Sequence, residues 1–329
     1  MTQHEPVLQV RDLATYYYLG GRELKAVDDV NFDIEAKRTL GLAGESGCGK
    51  TTTAYSILRI LAENGKITKG TVTLGGVELT QLSDEEMRKI RWKKASIVFQ
   101  YAMNAFNPVL RIGNQIVEVI QEKDDISTDE ALEIVRGLFD EVGLKPERHR
   151  DYPHEFSGGM LQRAIIAQAL ACDPQLIIAD EPVTALDVIV QNKILDLLRK
   201  LQDKYNLAVL FITHDLSVVA ENCHDVGIMY AGNLVEVGSV EAVFKQSLHP
   251  YSHKLIGAFP SVVGPKKRLE FIPGTPPNLF NLPAGCRFHP RCPFAQEICT
   301  NQVPEFREIR EGHYAKCHFA GELDFGGDK

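Results

Sequence analysis

Residues 44–51 read Gly-Glu-Ser-Gly-Cys-Gly-Lys-Thr. They fit the phosphate-binding pattern G-x-x-x-x-G-K-[ST] without a gap. The chemistry this predicts is anion capture. Glycines let the backbone approach a ligand closely. The first N–H groups of a following helix lack an internal acceptor and point at a phosphate. Lys50 is spaced to reach the β- and γ-phosphates of a nucleotide, and Thr51 to bind Mg²⁺.

Further candidates lie at the ends of apolar runs. Leu176-Ile177-Ile178-Ala179 ends in Asp180 and Glu181. A strand of this kind beside the phosphate-loop strand would set Asp180 near Mg²⁺ and Glu181 near an attacking water. Gln100 follows the run Ser96–Phe99, and His214 follows Ala208–Thr213. Side chains at the C-terminal ends of strands face the ligand crevice of open α/β sheets. Phe156-Ser157-Gly158-Gly159-Met160 opens a helical segment over Leu161–Cys172, a second anion site at a helix start. Ala185-Leu186-Asp187 closely follows Glu181. Singly, each has a plainer reading: a solvated strand end, a helix cap, a structural histidine. Their joint occurrence is what carries weight.

A third group is made of thiols. Of seven cysteines, Cys48, Cys172 and Cys223 are scattered, and Cys286, Cys292, Cys299 and Cys317 share the C-terminal tail. Met1–Gln9 lacks the charged start and apolar core of a secretory leader, which points to a reducing compartment and away from disulfides. Structural zinc sites usually contain a short Cys-x₂₋₄-Cys pair, and this tail has none. Four thiolates can also hold a [4Fe–4S] cluster. Spacing alone leaves zinc and iron–sulfur open.

The elements that must position these groups follow from periodicity. Thr39–Ala43 is apolar and predicts a buried strand before the glycine-rich turn, and Thr52–Leu61 a helix after it. Val7–Val10 and Val27–Ile34 alternate like half-exposed strands, and Tyr16-Tyr17-Tyr18 follows the first. Gly75-Gly76 between Thr71–Leu74 and Val77–Leu79 signals a hairpin. Residues 102–156 are mainly helical in pattern, with a capping box at Ser127 to Glu130 and an apolar face of Leu132, Val135, Leu138, Phe139 and Val142 ending at Gly143. Val190, Ile194, Leu197, Leu198 and Leu201 form a core-packing stripe. Near residue 246 prolines become frequent and break up regular structure. The chain thus divides into a nucleotide-binding domain, 1–245, and a Pro-rich extension, 246–329, pinned by something other than a large core.

At 329 residues the chain can bury a large core. Its net charge of −8 disfavours DNA or RNA as a partner. Apolar runs such as Ala208–Ile212 are far short of the ~20 residues that cross a bilayer.

The order of motifs over residues 7–240 resembles the ATP-binding subunits of ABC transporters. The carriers are the phosphate loop, Gln100, Ser157-Gly158-Gly159-x-x-Gln162-Arg163, Asp180-Glu181, Leu186-Asp187 and Thr213-His214-Asp215. The chain is similar in particular to the ATPases of oligopeptide and dipeptide permeases. Tyr152-Pro153-His154-Glu155 before the Ser-Gly-Gly turn, Met229-Tyr230-Ala231-Gly232, His249-Pro250-Tyr251, Ile272-Pro273-Gly274 and the stretch from Gly285-Cys286 to Cys299 carry that likeness.

The resemblance implies an α/β P-loop ATPase: a RecA-like parallel-sheet core, an antiparallel β subdomain, a helical subdomain at about 102–172, and an irregular Cys/Pro-rich C-terminal extension. It implies that Tyr17 stacks on adenine, with Tyr16 and Tyr18 as competitors for that role. Gly44, Glu45, Ser46, Gly47, Cys48, Gly49, Lys50, Thr51 and Thr52 would hold ATP. Thr51 and Gln100 would coordinate Mg²⁺, with Asp180 acting through water. Glu181 would polarise the attacking water and His214 would touch the γ-phosphate. Ser157, Gly158 and Gly159 would complete the site of an opposing subunit, and Asp187 would join the two sites. Cys286, Cys292, Cys299 and Cys317 would hold a [4Fe–4S] cluster, with zinc as the alternative.

The implied function is to power uptake of di- and oligopeptides by ATP-driven dimerisation at the cytoplasmic face of a membrane. The partners would be two permease subunits, a second ATPase subunit (a related chain, with a copy of this one as the alternative) and, indirectly, an extracytoplasmic binding protein. Oligosaccharides, nickel or another small solute are the alternative cargoes. An ABC ATPase of DNA or translation is the remote alternative, disfavoured by acidic charge and the lack of a heptad arm. Four departures stand out: Phe156 and Met160 flank the Ser-Gly-Gly turn, Val183 takes the place of a commoner Thr, and Tyr101 that of an acidic residue.

Overall fold

The computed structural model describes residues 5–100, 105–184, 186–258 and 272–325. Tyr101 and Ala185 lie outside the described residues. The chain opens with β1 (Leu8–Leu19) and β2 (Arg22–Ile34), linked by Gly20 and Gly21 at positive φ. β1 runs on through the tyrosines that sequence reading placed after it, because Thr and Tyr suit a pleated, half-buried surface. β3 (Thr39–Ala43) is buried at every position and leads into α1 (Lys50–Leu58). β4 (Gly65–Leu74) and β5 (Val77–Glu78) form the expected antiparallel hairpin, Leu74 facing Val77. Its turn residues Gly75 and Gly76 sit at φ 51° and 75°, a conformation open mainly to glycine.

α2 (Asp84–Ile90) and β6 (Ala95–Val98) precede the helical stretch. That stretch holds α3 (Ile112–Lys123), α4 (Thr128–Glu141) and α5 (Gly158–Leu170), with single 3₁₀ turns at Pro146–Arg150 and Pro153–Glu155. The capping box at α4 is formed: Glu130 N donates to Ser127 Oγ at 3.3 Å, and Ser127 N donates to Glu130 Oε2 at 2.9 Å. Val135, Leu138, Phe139 and Val142 are buried on its inner face. β7 (Leu176–Asp180), α6 (Val188–Tyr205), β8 (Ala208–Ile212), α7 (Leu216–Asn222), β9 (Asp225–Tyr230) and β10 (Asn233–Ser239) follow. The tail adds α8 (Val240–Lys245), α9 (Pro250–Gly257), α10 (Glu297–Asn301), β11 (Arg307–Arg310) and β12 (His313–Ala315).

The chain forms two compact units. One is built on residues 34–38 and 73–210. In it β6 and β7 pair in parallel, from Ala95 opposite Leu176 to Val98 opposite Ala179. Both strands are buried throughout, as apolar runs in a parallel sheet must be. Ile194, Leu197, Leu198 and Leu201 bury the stripe of α6.

The other unit comprises residues 9–33, 39–72 and 211 onward. Here β3 pairs in parallel with β9, β9 antiparallel with β10, β10 with β12 and β12 with β11. The Pro-rich extension therefore supplies strands to the sheet that carries the phosphate loop. It also supplies core. Phe288 is 1% exposed and packs in one cluster with Ala43, Val226, Ile228, Tyr230 and Tyr251. Its ring lies 5.2 Å from that of Tyr230 and 5.4 Å from that of Tyr251. Composition predicted a tail with little share in a core. Prolines limit its elements to a few residues each, but they leave single large side chains free to anchor it.

Two buried polar groups complete this junction. The Glu236 carboxylate is fully buried, and three partners meet it: Leu248 N at 2.8 Å, His249 N at 2.9 Å and His313 Nε2 at 2.8 Å. A charge out of water is tolerable only when matched in this way. Burial pushes the His249 imidazole down to about 3, so it is neutral, and its Nδ1 accepts from Tyr251 N at 3.0 Å.

Candidate nucleotide site and cysteine cluster

The loop between β3 and α1 turns on Gly44, Gly47 and Gly49, at φ 152°, 78° and 110°. At two of these no side chain fits. A Cβ on Gly44 would lie 2.2 Å from Met229 O, and one on Gly49 2.3 Å from Ala26 O. The loop is thus wedged against the end of β9 and against β2. Lys50 is 7% exposed, and its Nζ donates to Gly44 O at 2.8 Å and Glu45 O at 3.2 Å. Its ammonium therefore sits within the curl of the loop, where the first turn of α1, with Thr51 and Thr52, begins. Backbone amides at a helix start and one ammonium gathered on a tight loop make an anion cradle. Burial raises the Cys48 thiol and keeps it neutral.

Asp180 is the last residue of β7 and is 2% exposed. Glu181 follows at φ 47°, a left-handed conformation rare for a glutamate, which turns its side chain out of the strand direction. Gln100 Nε2 donates to Glu181 Oε2 at 2.6 Å, and Thr184 Oγ1 donates to the same oxygen at 2.9 Å. The structure thus brings Gln100 and Glu181 into direct contact. It adds Thr184, which sequence reading passed over in favour of the substitution at Val183. Val183 is buried, and the hydroxyl one residue on serves the carboxylate.

Ser157 caps α5 with extended backbone and makes no side-chain capping bond to that helix. Gly159 is required by packing: a Cβ there would lie 2.6 Å from Val190 Cγ1 on α6. Leu186 Cδ2 lies 3.6 Å from the corresponding point on Gly158. Asp187 caps α6, its Oδ1 accepting from Val190 N at 3.0 Å. The Ser-Gly-Gly turn and Asp187 are therefore tied through the same first turn of α6. His214 lies exposed two residues past the end of β8.

Of the three tyrosines, Tyr16 is engaged by its own unit. Its hydroxyl donates to Asp28 Oδ1 at 2.8 Å and Lys25 lies over its ring. Tyr17 projects the other way, its ring close over Gly65, where a Cβ would meet Cε1 at 2.7 Å. Tyr18 is 38% exposed, with Lys66 over its ring.

Cys286, Cys292, Cys299 and Cys317 line a single cavity with His249, Phe288 and Phe294. Backbone N–H groups are aimed at three of the sulfurs: those of Phe288 and His289 at Cys286, that of Phe294 at Cys292 and that of Phe319 at Cys317. Burial raises Cys286, and pushes Cys292 up to about 11 and Cys317 to about 12. Among the described residues, no group of three or more His, Cys, Asp or Glu side chains converges closely enough to hold a single metal ion. Nor is any helix among them long and apolar enough to cross a membrane.

Known proteins match this arrangement. A family model described as ABC transporter matches residues 27–184, and one described as the C-terminal region of oligopeptide/dipeptide transporters matches 235–299. The oligopeptide transport ATP-binding protein OppD of Escherichia coli is 44% identical over 317 residues, 96% of this chain and 94% of that protein. The protein of the same name from Salmonella typhimurium is 45% identical over 300 residues, 91% of this chain and 89% of its own length. The fold is similar to that of the ATP-binding cassette MJ0796, a dimer in a post-hydrolysis state bound to ADP and Pi. The TM-score is 0.64 at 27% identity, covering 71% of this chain and 98% of the cassette. Fold and site together define an ABC-type ATPase. The chain belongs to the ATP-binding subunits of ABC transporters, in the branch of the oligopeptide transport ATP-binding proteins.

Proposed function

We propose that this subunit hydrolyses ATP to drive import of di- or oligopeptides through two partner permease subunits at the cytoplasmic face of a membrane. The observation that carries this reading is the Lys50 ammonium held inside the glycine-rich curl at the start of α1. On this reading Lys50 and the amides of residues 44–52 bind the phosphates, and Tyr17 stacks on adenine. Thr51 and Gln100 would hold Mg²⁺, with Asp180 acting through water, and His214 would contact the γ-phosphate. Gln100 and Thr184 orient Glu181, which polarises the attacking water.

Ser157, Gly158 and Gly159 close over the nucleotide of a second, related ATPase subunit, and Asp187 links the two sites. Closure adds donors and excludes water, so ATP favours the closed pair and hydrolysis releases it. Residues after Gln100 and Glu155 pass that motion to the permeases, which an extracytoplasmic binding protein supplies with cargo. The nucleotide-binding domain spans 1–245 and the extension 246–329.

The four tail cysteines would hold a [4Fe–4S] cluster, which would staple the extension. Support comes from one shared cavity and from backbone N–H groups aimed at the sulfurs, since hydrogen bonds to sulfur tune such clusters. A single tetrahedral zinc would need the thiolates drawn closer, about 2.3 Å from one centre. Such a cluster would supply cross-linking here, since ATP hydrolysis needs no redox step.

The test is to assemble the subunit with its permeases and binding protein in vesicles. Peptide loaded on the binding protein should stimulate ATP hydrolysis. Stimulation by an oligosaccharide or by nickel instead would move the cargo and keep the ATPase. Lack of any ATP turnover would remove the reading.

A further inference from the structure

Glu45 is the second residue of the phosphate loop, a carboxylate placed where a polyphosphate is expected. Unmatched, such a charge would repel the ligand. In the fold it is matched from 246 residues away. Arg291 Nη1 donates to Glu45 Oε2 at 2.8 Å and Nη2 to Oε1 at 3.1 Å, a bidentate pair. Arg291 is 8% exposed and is itself held on other sides. Its Nε donates to Pro273 O at 2.8 Å, its Nη1 reaches Tyr230 Oη at 3.3 Å, and its guanidinium lies over the Tyr230 ring. Glu45 is gripped a second time: its backbone N donates to Tyr251 Oη at 3.1 Å. The Glu45 carbonyl in turn accepts from Lys50 Nζ. A continuous chain of contacts thus runs from Arg291, the residue before Cys292, through Glu45 to the loop lysine.

We propose that Arg291 is a positioning residue for nucleotide binding: from the C-terminal extension it neutralises Glu45 and fixes the opening turn of the phosphate loop, so that ATP affinity depends on the extension. The inference rests on the reading of residues 44–51 as the phosphate cradle. Arginine suits the role because its planar fork meets both carboxylate oxygens at once, which a lysine cannot do.

The experiment titrates a fluorescent ATP analogue with Mg²⁺ into the full-length chain and its variants, with metal content and melting temperature measured alongside. Arg291→Ala should raise Kd about tenfold, the scale of one charge-assisted contact. Arg291→Lys should fall between. Glu45→Gln in the Arg291→Ala background should recover most of the loss, because it removes the exposed charge without restoring any packing. If Arg291→Ala does not fold, Arg291→Lys with and without Glu45→Gln carries the same comparison. A Kd within twofold of the parent, or a loss that Glu45→Gln does not recover, overturns the proposal. Lys50→Ala separates the two readings. If it abolishes binding while Arg291→Ala has no effect, only the role of Arg291 falls. If Lys50→Ala binds normally, the cradle falls and the proposal with it.

Discussion

Gln100 and Glu181 meet through a 2.6 Å hydrogen bond, amide nitrogen to carboxylate oxygen, and Thr184 donates to the same oxygen at 2.9 Å. Two donors on one oxygen fix the plane of the carboxylate and aim its other oxygen. A carboxylate that served as the proposed base would work only in a defined orientation, and contributions of this kind reach about 10²–10⁴-fold.

Glu181→Gln should therefore bind ATP as the parent does and lose about 10²-fold or more in turnover. Trapped with ATP, it should accumulate as a closed pair of ATPase subunits on gel filtration. Turnover near the parental rate would take Glu181 out of the chemistry.

Thr184→Val keeps the shape at that position and deletes one of the two donors. Turnover should fall about tenfold or more, the value of one hydrogen bond to a charged group, with ATP affinity unchanged. A rise in KM with kcat intact would mean that Thr184 serves binding instead.

Gly159→Ala inserts a methyl group where Val190 Cγ1 leaves 2.6 Å. Overpacking of this order costs roughly 1–3 kcal/mol. Because the strain falls on the contact between α5 and α6, it should also shift Ser157 relative to Asp187. Monomer binding of ATP should survive while cooperative hydrolysis drops. Ser157→Ala should do the same without loss of melting temperature, and an equal fall in monomer affinity would contradict its action on a partner's nucleotide.

Protein purified without oxygen should be brown, absorb broadly near ~400 nm and carry about four irons per chain. Replacing Cys317 with Ser should lose the colour and loosen the tail to protease. One zinc per colourless chain would keep the four ligands and replace the cluster.

Phe288→Ala removes the ring that joins the tail to Tyr230 and Tyr251, and should cost about 3–5 kcal/mol. A melting temperature unchanged by this substitution would show that the tail docks by other means.

Sequence made local features legible. The glycine-rich loop, the Ser127 capping box and the Gly75-Gly76 hairpin each announce themselves within a few residues, because their geometry demands particular side chains at fixed spacing. That Gln100 and Glu181 each follow an apolar strand was readable from position, but their hydrogen bond was not. What stayed hidden depends on partners far along the chain. Nothing near Glu45 marks Arg291 as its partner, and nothing near Glu236 marks His313. The left-handed turn at Glu181 has no glycine to signal it. Proline counts concealed Phe288, because composition averages over a segment whose anchoring falls to one ring.

The pairing of β10 with β12 makes the sheet depend on strands far beyond residue 245. Glu236 and Val237 of β10 face Ala315 and Tyr314, and the outermost strand of that sheet is β11, which carries Arg307, Glu308 and Arg310. A protein cut at residue 245 would bare the flank of β10 and strand Glu236 without Leu248, His249 and His313. Unpaired strand flanks recruit other chains, and charged outer strands discourage them. Residues 307–315 thus shield the sheet from neighbouring copies, and a cassette cut at residue 245 should be recovered as aggregate.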